Sequence, residues 1–274
     1  MISKNIKNWL SHPLARGMNI DDPLTTQLRR KIIREKYFLR MIYQEWYKNI
    51  AVAIPLGDGD ILELGSGAGF LNDYLPDLIT SEVFECLGVD AILDGLFLPF
   101  AKQSLRGIVM TDVFHHLPRP RLFLSEATRC MRPGGVVVMI EPWVTLWSRQ
   151  IYTQLHHEPF HPESKAWEFP NSGPLSGANG ALPWIIFERD RAQFMQEFPE
   201  WEIQSIRPFM PFRYLVSGGV SMRSLMPGCT FGIWRALETV LEPWQNKLAM
   251  FAEIILVRQS NKQEHFKEKG WSYG

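Results

Sequence analysis

Three glycines alternate with small residues in ILELGSGAGF, 61–70, so that Gly65, Gly67 and Gly69 follow an acid, Glu63. Glycine permits a tight turn and lets the backbone approach a ligand with no Cβ between them. The dinucleotide fingerprint requires a third glycine one place later, where this chain has Phe70, so the turn is of another kind. Further acids follow at Glu82, Asp90 and Asp94, and Asp112 and Glu141 end later apolar runs. His115 and His116 come directly after one such run, and LHHEPFHP, 155–162, gathers His156, His157, Glu158 and His161. Imidazoles beside a carboxylate suit a general base, a substrate hydrogen bond or a metal site. No recognised ligand spacing appears and no cysteine joins the cluster, so no metal is expected.

These groups sit in an alternation of short apolar runs and helical patterns of the βαβ kind. Strands are predicted at Ile61–Leu64, 78–82, Asp90–Leu93, Gly107–Thr111, Val136–Ile140, Glu202–Ile206 and Ala252–Val257. Helices are predicted at 23–50 (broken once), from Leu71 to Leu75, at 120–132, at Arg189–Phe198 and near Ile233–Leu248. Asp21-Asp22-Pro23 supplies a cap and a first-turn proline, and Pro133-Gly134-Gly135 is expected to end the helix before it. KIIREK, 31–36, reads as a solvated helix face. The fold class is therefore α/β: a doubly wound, Rossmann-like sheet, mostly parallel, with an antiparallel C-terminal strand and lid insertions. Residues 144–187 and 210–232 lack sustained periodicity and fall where open α/β sheets bind ligands.

Composition narrows the function. The 274 residues carry 29 basic and 29 acidic side chains, and this zero net charge provides no field to gather a polyanion. Nucleic acid is therefore not an expected partner. The three cysteines, Cys86, Cys130 and Cys229, are odd in number and far apart, which excludes a disulfide framework. The N-terminal residues lack a signal-peptide run and no stretch has the length of a membrane span, so a cytoplasmic protein is expected.

The glycine turn with its preceding acid resembles the first motif of class I S-adenosylmethionine-dependent methyltransferases. The likeness continues through DGLFLPF, 94–100, IVMTDVFHHLP, 108–118, and MRPGGVVVMIEPW, 131–143. It implies S-adenosylmethionine as cofactor, with contacts from Glu63, Gly65, Ser66, Gly67, Gly69, Glu82, Asp94, Gly95, Asp112 and His115. In that family an acid about 20 residues after the first binds the ribose, and Glu82 stands 19 residues after Glu63. Asp90 is the rival for this role. Asp94 would accept from the adenine amino group. Two departures are plain: only seven residues separate Glu82 from Asp90, and Arg106 stands where many relatives carry aspartate.

The resemblance implies in-line methyl transfer to a small-molecule or saccharide acceptor, with oxygen, nitrogen or carbon as nucleophile. A cofactor-binding module without catalysis and a protein or nucleic-acid methyltransferase are the alternatives. Candidate bases are His156, His157 and His116, and Glu141, Asn179, Arg213 and Tyr214 are candidate acceptor contacts. Trp143, Trp147, Trp167, Trp184 and Phe169 are expected to line an aromatic cavity. The expected organisation is a helical cap at 1–50, a cofactor core at 51–143 and a lid at 144–187. Residues 188–260 complete the core around a second insertion at 210–249, and 261–274 form a polar tail.

Overall fold

A computed structural model describes residues 10–15, 21–155, 158–170, 173 and 176–260. Seven strands form one sheet: β1 (Asp60–Leu64), β2 (Leu78–Glu82), β3 (Ala91–Ile92), β4 (Leu105–Thr111), β5 (Met131–Pro142), β6 (Trp201–Phe209) and β7 (Phe251–Arg258). Their order is β3-β2-β1-β4-β5-β7-β6. Neighbours from β3 to β5 are parallel, and β7 runs antiparallel to both β5 and β6. The chain leaves β1 toward β2 and returns on the other side as β4. The crevice at the carboxyl ends of β1 and β4 is thus the topological switch point, where such sheets bind ligands.

The sheet is apolar because both faces are covered: Val137, Val138, Met139 and Ile140 of β5 are all fully buried. Helix α1 (Pro23–Glu35) starts on Asp22, whose Oδ1 accepts the Leu24 N–H at 2.9 Å. Lys36, in extended conformation, separates it from α2 (Tyr37–Ala53). Helix α2 buries Phe38, Leu39, Ile42, Tyr43, Trp46, Tyr47 and Ile50, a stripe at helical spacing. The remaining helices include α3 (Pro120–Cys130), α4 (Leu146–Leu155), α5 (Arg191–Glu197), α6 (Arg213–Ser217) and α7 (Phe231–Val240), and Tyr214 of α6 stacks on Trp46 of α2. Among the described residues no helix is long and apolar enough to cross a membrane.

Several expectations need correction. The helix expected from Leu71 to Leu75 is a single 3-10 turn, Leu71–Asp73, in a stretch where Asp73 and Pro76 both disfavour helix. Helix α3 stops at Cys130, and Pro133-Gly134-Gly135 lies inside β5, where a shift in the β4–β5 register absorbs the extra residues. Helix α4 stands in the supposedly irregular 144–187 stretch. Its buried face includes Ser148 and Tyr152, so no apolar stripe betrays it. The helix expected over Ile233–Leu248 breaks after Val240, and Pro243 follows within a short turn. Lys36 is not solvated: its Nζ donates to the Gly219 and Met222 carbonyls at 2.5 and 2.9 Å.

Candidate cofactor and acceptor site

The turn after β1 is held from three sides. Ser66 N–H donates to the Ser81 carbonyl at 2.9 Å, and Ser81 Oγ donates to the Glu63 carbonyl at 2.7 Å, tying the turn to β2. Gly67 N–H donates to Glu82 Oε1 at 2.9 Å, and Gly69 N–H to the Ser66 carbonyl at 2.8 Å. From α1, Arg30 Nε donates to the Gly67 carbonyl at 2.9 Å. Gly65 adopts φ +69°, and a side chain there would run into Val113. At Gly67 a Cβ would collide with Glu82 Oε1 and Thr26 Cγ2.

Glu63 lies fully buried beneath this turn, and burial pushes its carboxyl up to about 7. Burial also raises Glu82, against the opposing hydrogen bonds from Gly67 and Val83. Asp90 is placed differently. It accepts the Thr80 N–H and Oγ1–H at 2.9 and 2.6 Å, and these bonds lower its carboxyl. It does not line the cavity at the switch point, whereas Glu82 does. Asp94 and Gly95 line the same cavity, with Asp94 Oδ1 accepting the Leu96 N–H at 2.9 Å.

The same cavity has further walls. There Asp112 and His116 from the end of β4 meet Glu158, Tyr43 of α2, Tyr152 of α4 and Tyr214 of α6. Asp112 sits at φ +63°, its N–H held by the Ile140 carbonyl at 2.8 Å. Burial drives its carboxyl up to about 7. The Tyr152 hydroxyl donates to the Met250 carbonyl at 2.8 Å. Of the expected acceptor contacts, only Tyr214 lies on this wall.

The others do not line it. Glu141 is fully buried; Oε1 accepts the Val113 and Phe114 N–H groups at 2.9 and 2.7 Å, and Oε2 the His115 Nδ1–H at 2.7 Å. Asn179 folds its own loop, accepting the His161 and Ala181 N–H groups at 2.9 and 3.1 Å. Arg213 bridges Glu238 and Glu45, each at 2.5 Å. His115 is also out of the cavity, with Glu158 Oε2 3.3 Å from its Nε2. Burial works to lower its imidazole, yet the two carboxylates raise it well above its ordinary value. His116 is opposite: burial and the neighbouring His115 depress it to about 3, so it stays neutral. His156 and His157 lie outside the described residues.

None of Trp143, Trp147, Trp167, Trp184 and Phe169 lines this cavity. Trp167 is a core residue whose Nε1 donates to Asp190 Oδ2 at 2.9 Å, and Trp147 Nε1 donates to the Pro211 carbonyl at 3.0 Å. The aromatic wall is instead tyrosine. Sequence inspection missed Tyr43, Tyr152 and Arg30, because each stands in a helix well away from the motifs. The one usable signal was a hydroxylated ring within the apolar stripe of α2.

Residues 62–139 match a family described as methyltransferase domain. No curated protein matches the chain. Among solved structures, the complex between the Haloferax volcanii Trm112 methyltransferase activator and a methyltransferase aligns with a TM-score of 0.50 and 13% identity, over 89% of this chain and 99% of that one. A methyltransferase dependent on S-adenosylmethionine, from Archaeoglobus fulgidus, aligns at 0.47 and 15% identity, over 80% and 94%. Geranyl diphosphate C-methyltransferase from Streptomyces coelicolor A3(2) aligns at 0.47 and 11% identity, over 91% and 89%.

Proposed function

We propose that the chain is a class I S-adenosylmethionine-dependent methyltransferase and that it methylates a small molecule held against Tyr43, Tyr152 and Tyr214. The observation that carries this reading is that one cavity is lined both by Gly65, Glu82 and Asp94 and by Asp112, His116 and Tyr214. Cofactor and acceptor can thus meet without leaving the protein.

The first of these sets fits the cofactor. The Gly65–Gly67 turn packs so closely on Val113, Glu82 and Thr26 that it leaves no room for side chains, and Glu82 and Asp94 line the cavity beside it. Glu82 accepts from the ribose hydroxyls, and Asp94 from the adenine amino group. When bound, S-adenosylmethionine supplies an electrophilic methyl group on a sulfonium that leaves neutral.

With the second set the protein aligns the acceptor and excludes water, the two contributions that in-line transfer needs most. The tyrosine rings offer apolar walls with a polar rim. Asp112, beside the acceptor, receives the proton that an oxygen or nitrogen nucleophile must lose. His116 contributes as a neutral contact, since an imidazole held near 3 is too weak a base for that step.

The test is transfer of labelled methyl from S-adenosylmethionine into fractions of a deproteinised metabolite extract. Asp112→Asn should keep cofactor affinity within about threefold and lower turnover on the order of 10²–10⁴-fold. Cofactor binding with no label in any small-molecule fraction would refute the proposal.

A further inference from the structure

His115 and His116 are adjacent in sequence, and their rings lie side by side with centroids 4.2 Å apart. Each has Nδ1 committed to an acceptor: His115 to Glu141 Oε2 at 2.7 Å, His116 to the Gly177 carbonyl at 3.1 Å. A carbonyl only accepts, so the His116 proton is on Nδ1 and its Nε2 presents a lone pair. Both Nε2 atoms face one carboxylate, His115 at 3.3 Å from Glu158 Oε2 and His116 at 3.9 Å from Glu158 Oε1. Without a metal, a proton on His115 Nε2 serves the contact to Glu158 Oε2. A divalent ion would take the place of that proton, releasing it, and would also reach the His116 lone pair.

We propose that His115 Nε2, His116 Nε2 and Glu158 bind one divalent ion of the zinc class at the cavity wall. The three ligand atoms already lie within 4.8 Å of one another. Bonds of about 2.0–2.1 Å in a tetrahedral site put neighbouring ligands roughly 3.4 Å apart, and the His115–Glu158 edge is there already. The ligand set, two imidazoles and a carboxylate, suits zinc and its first-row neighbours rather than magnesium or calcium.

The outer shell is also built. Metal-bound imidazoles donate their second N–H to a carboxylate or carbonyl, as His115 does to Glu141 and His116 to Gly177. Glu141 is itself fixed by the Val113 and Phe114 N–H groups. The ion would also offset the charge gathered by Asp112, Glu141 and Glu158. Because His116 and Glu158 line the cavity, the fourth coordination position opens onto it. On the methyl-transfer reading above, that position would take an acceptor hydroxyl and lower its pKa, the Lewis-acid role of such ions. Metal binding itself does not depend on that reading.

The full chain, stripped with a chelator, is titrated with Zn²⁺ against a chromogenic competitor and with Co²⁺, whose visible absorption reports coordination. One equivalent per chain is expected. Glu158→Gln and His116→Gln should each weaken affinity more than about 100-fold, and Glu141→Gln about 10–100-fold, with the fold checked by circular dichroism. His161→Ala, outside the triad, should leave affinity unchanged. No stoichiometric binding overturns the site. So does binding that survives Glu158→Gln or His116→Gln, or that is lost in a His156→Ala/His157→Ala double variant with the triad intact. Because affinity is read directly, a chain that binds zinc but transfers no methyl keeps this site and fails only the proposed reaction.

Discussion

Glu82 Oε1 accepts the Gly67 N–H at 2.9 Å, so the acid that ends β2 and the turn that follows β1 fix one another. Glu82 still lines the cavity, whereas Asp90 spends its carboxylate on Thr80. Hydrogen bonds to a charged acceptor are each worth about 1.5–3 kcal/mol. Glu82→Ala should therefore weaken S-adenosylhomocysteine binding about 10–100-fold in a calorimetric titration. Asp90→Ala should lower the melting temperature and leave affinity nearly unchanged. The reverse ordering would assign the ribose to Asp90.

Arg30 links α1 to the same turn through the Gly67 carbonyl and reaches the Leu87 carbonyl at 3.0 Å. Removing Arg30 should cost about 1 kcal/mol of cofactor affinity, roughly fivefold, by loosening the turn. An unchanged dissociation constant for Arg30→Ala would show that α1 does not support the site.

Glu63 makes stability depend on pH. Its carboxyl titrates near 7 in the fold, against an ordinary value of 4.5. The unfolded chain therefore gives up this proton first as pH rises. The contribution of Glu63 is complete below about pH 4.5 and is lost as pH rises through about 7. Glu63→Gln cannot ionise, so at pH 8 it should be more stable than the parent by up to about 3 kcal/mol. At pH 4.5 the two should coincide. Urea unfolding at both values decides, and a difference that does not vary with pH would contradict the assignment.

Glu141 is committed to the protein: Oε1 accepts two backbone N–H groups and Oε2 accepts from His115. Glu141→Ala would strand a buried, charged imidazole and should destabilise the fold by about 3–5 kcal/mol in urea unfolding. A loss below about 1 kcal/mol would mean that the cluster relaxes around the gap.

The glycine turn was legible in the sequence because backbone geometry imposes residue type there. Gly65 needs its positive φ and Gly67 its missing Cβ, and Glu82 must end β2. Strand β5 was equally plain from its unbroken apolar run, which burial on both faces requires. The tyrosine wall of the cavity was not legible. Tyr43, Tyr152 and Tyr214 come from three separate helices, and their convergence is a property of packing. Helix α4 escaped notice because Ser148 on its buried face is held by a hydrogen bond to the Trp143 carbonyl rather than by apolar contact. Glu141 and Asn179 had the residue types of a site but spend them on backbone N–H groups. Spacing alone cannot separate a carboxylate that binds substrate from one that caps a turn.

Cofactor binding at the glycine turn is the claim on which the others stand, and calorimetric titration of S-adenosylhomocysteine into the parent and Gly67→Val tests it most directly. A Cβ at position 67 would occupy the space of Glu82 Oε1 and Thr26 Cγ2, so the turn or Glu82 must shift. Binding of one ligand per chain to the parent, and none to a Gly67→Val chain whose circular dichroism matches the parent, is the expected result. No heat and no thermal shift with the parent at millimolar ligand, or equal affinity in both chains, would contradict it.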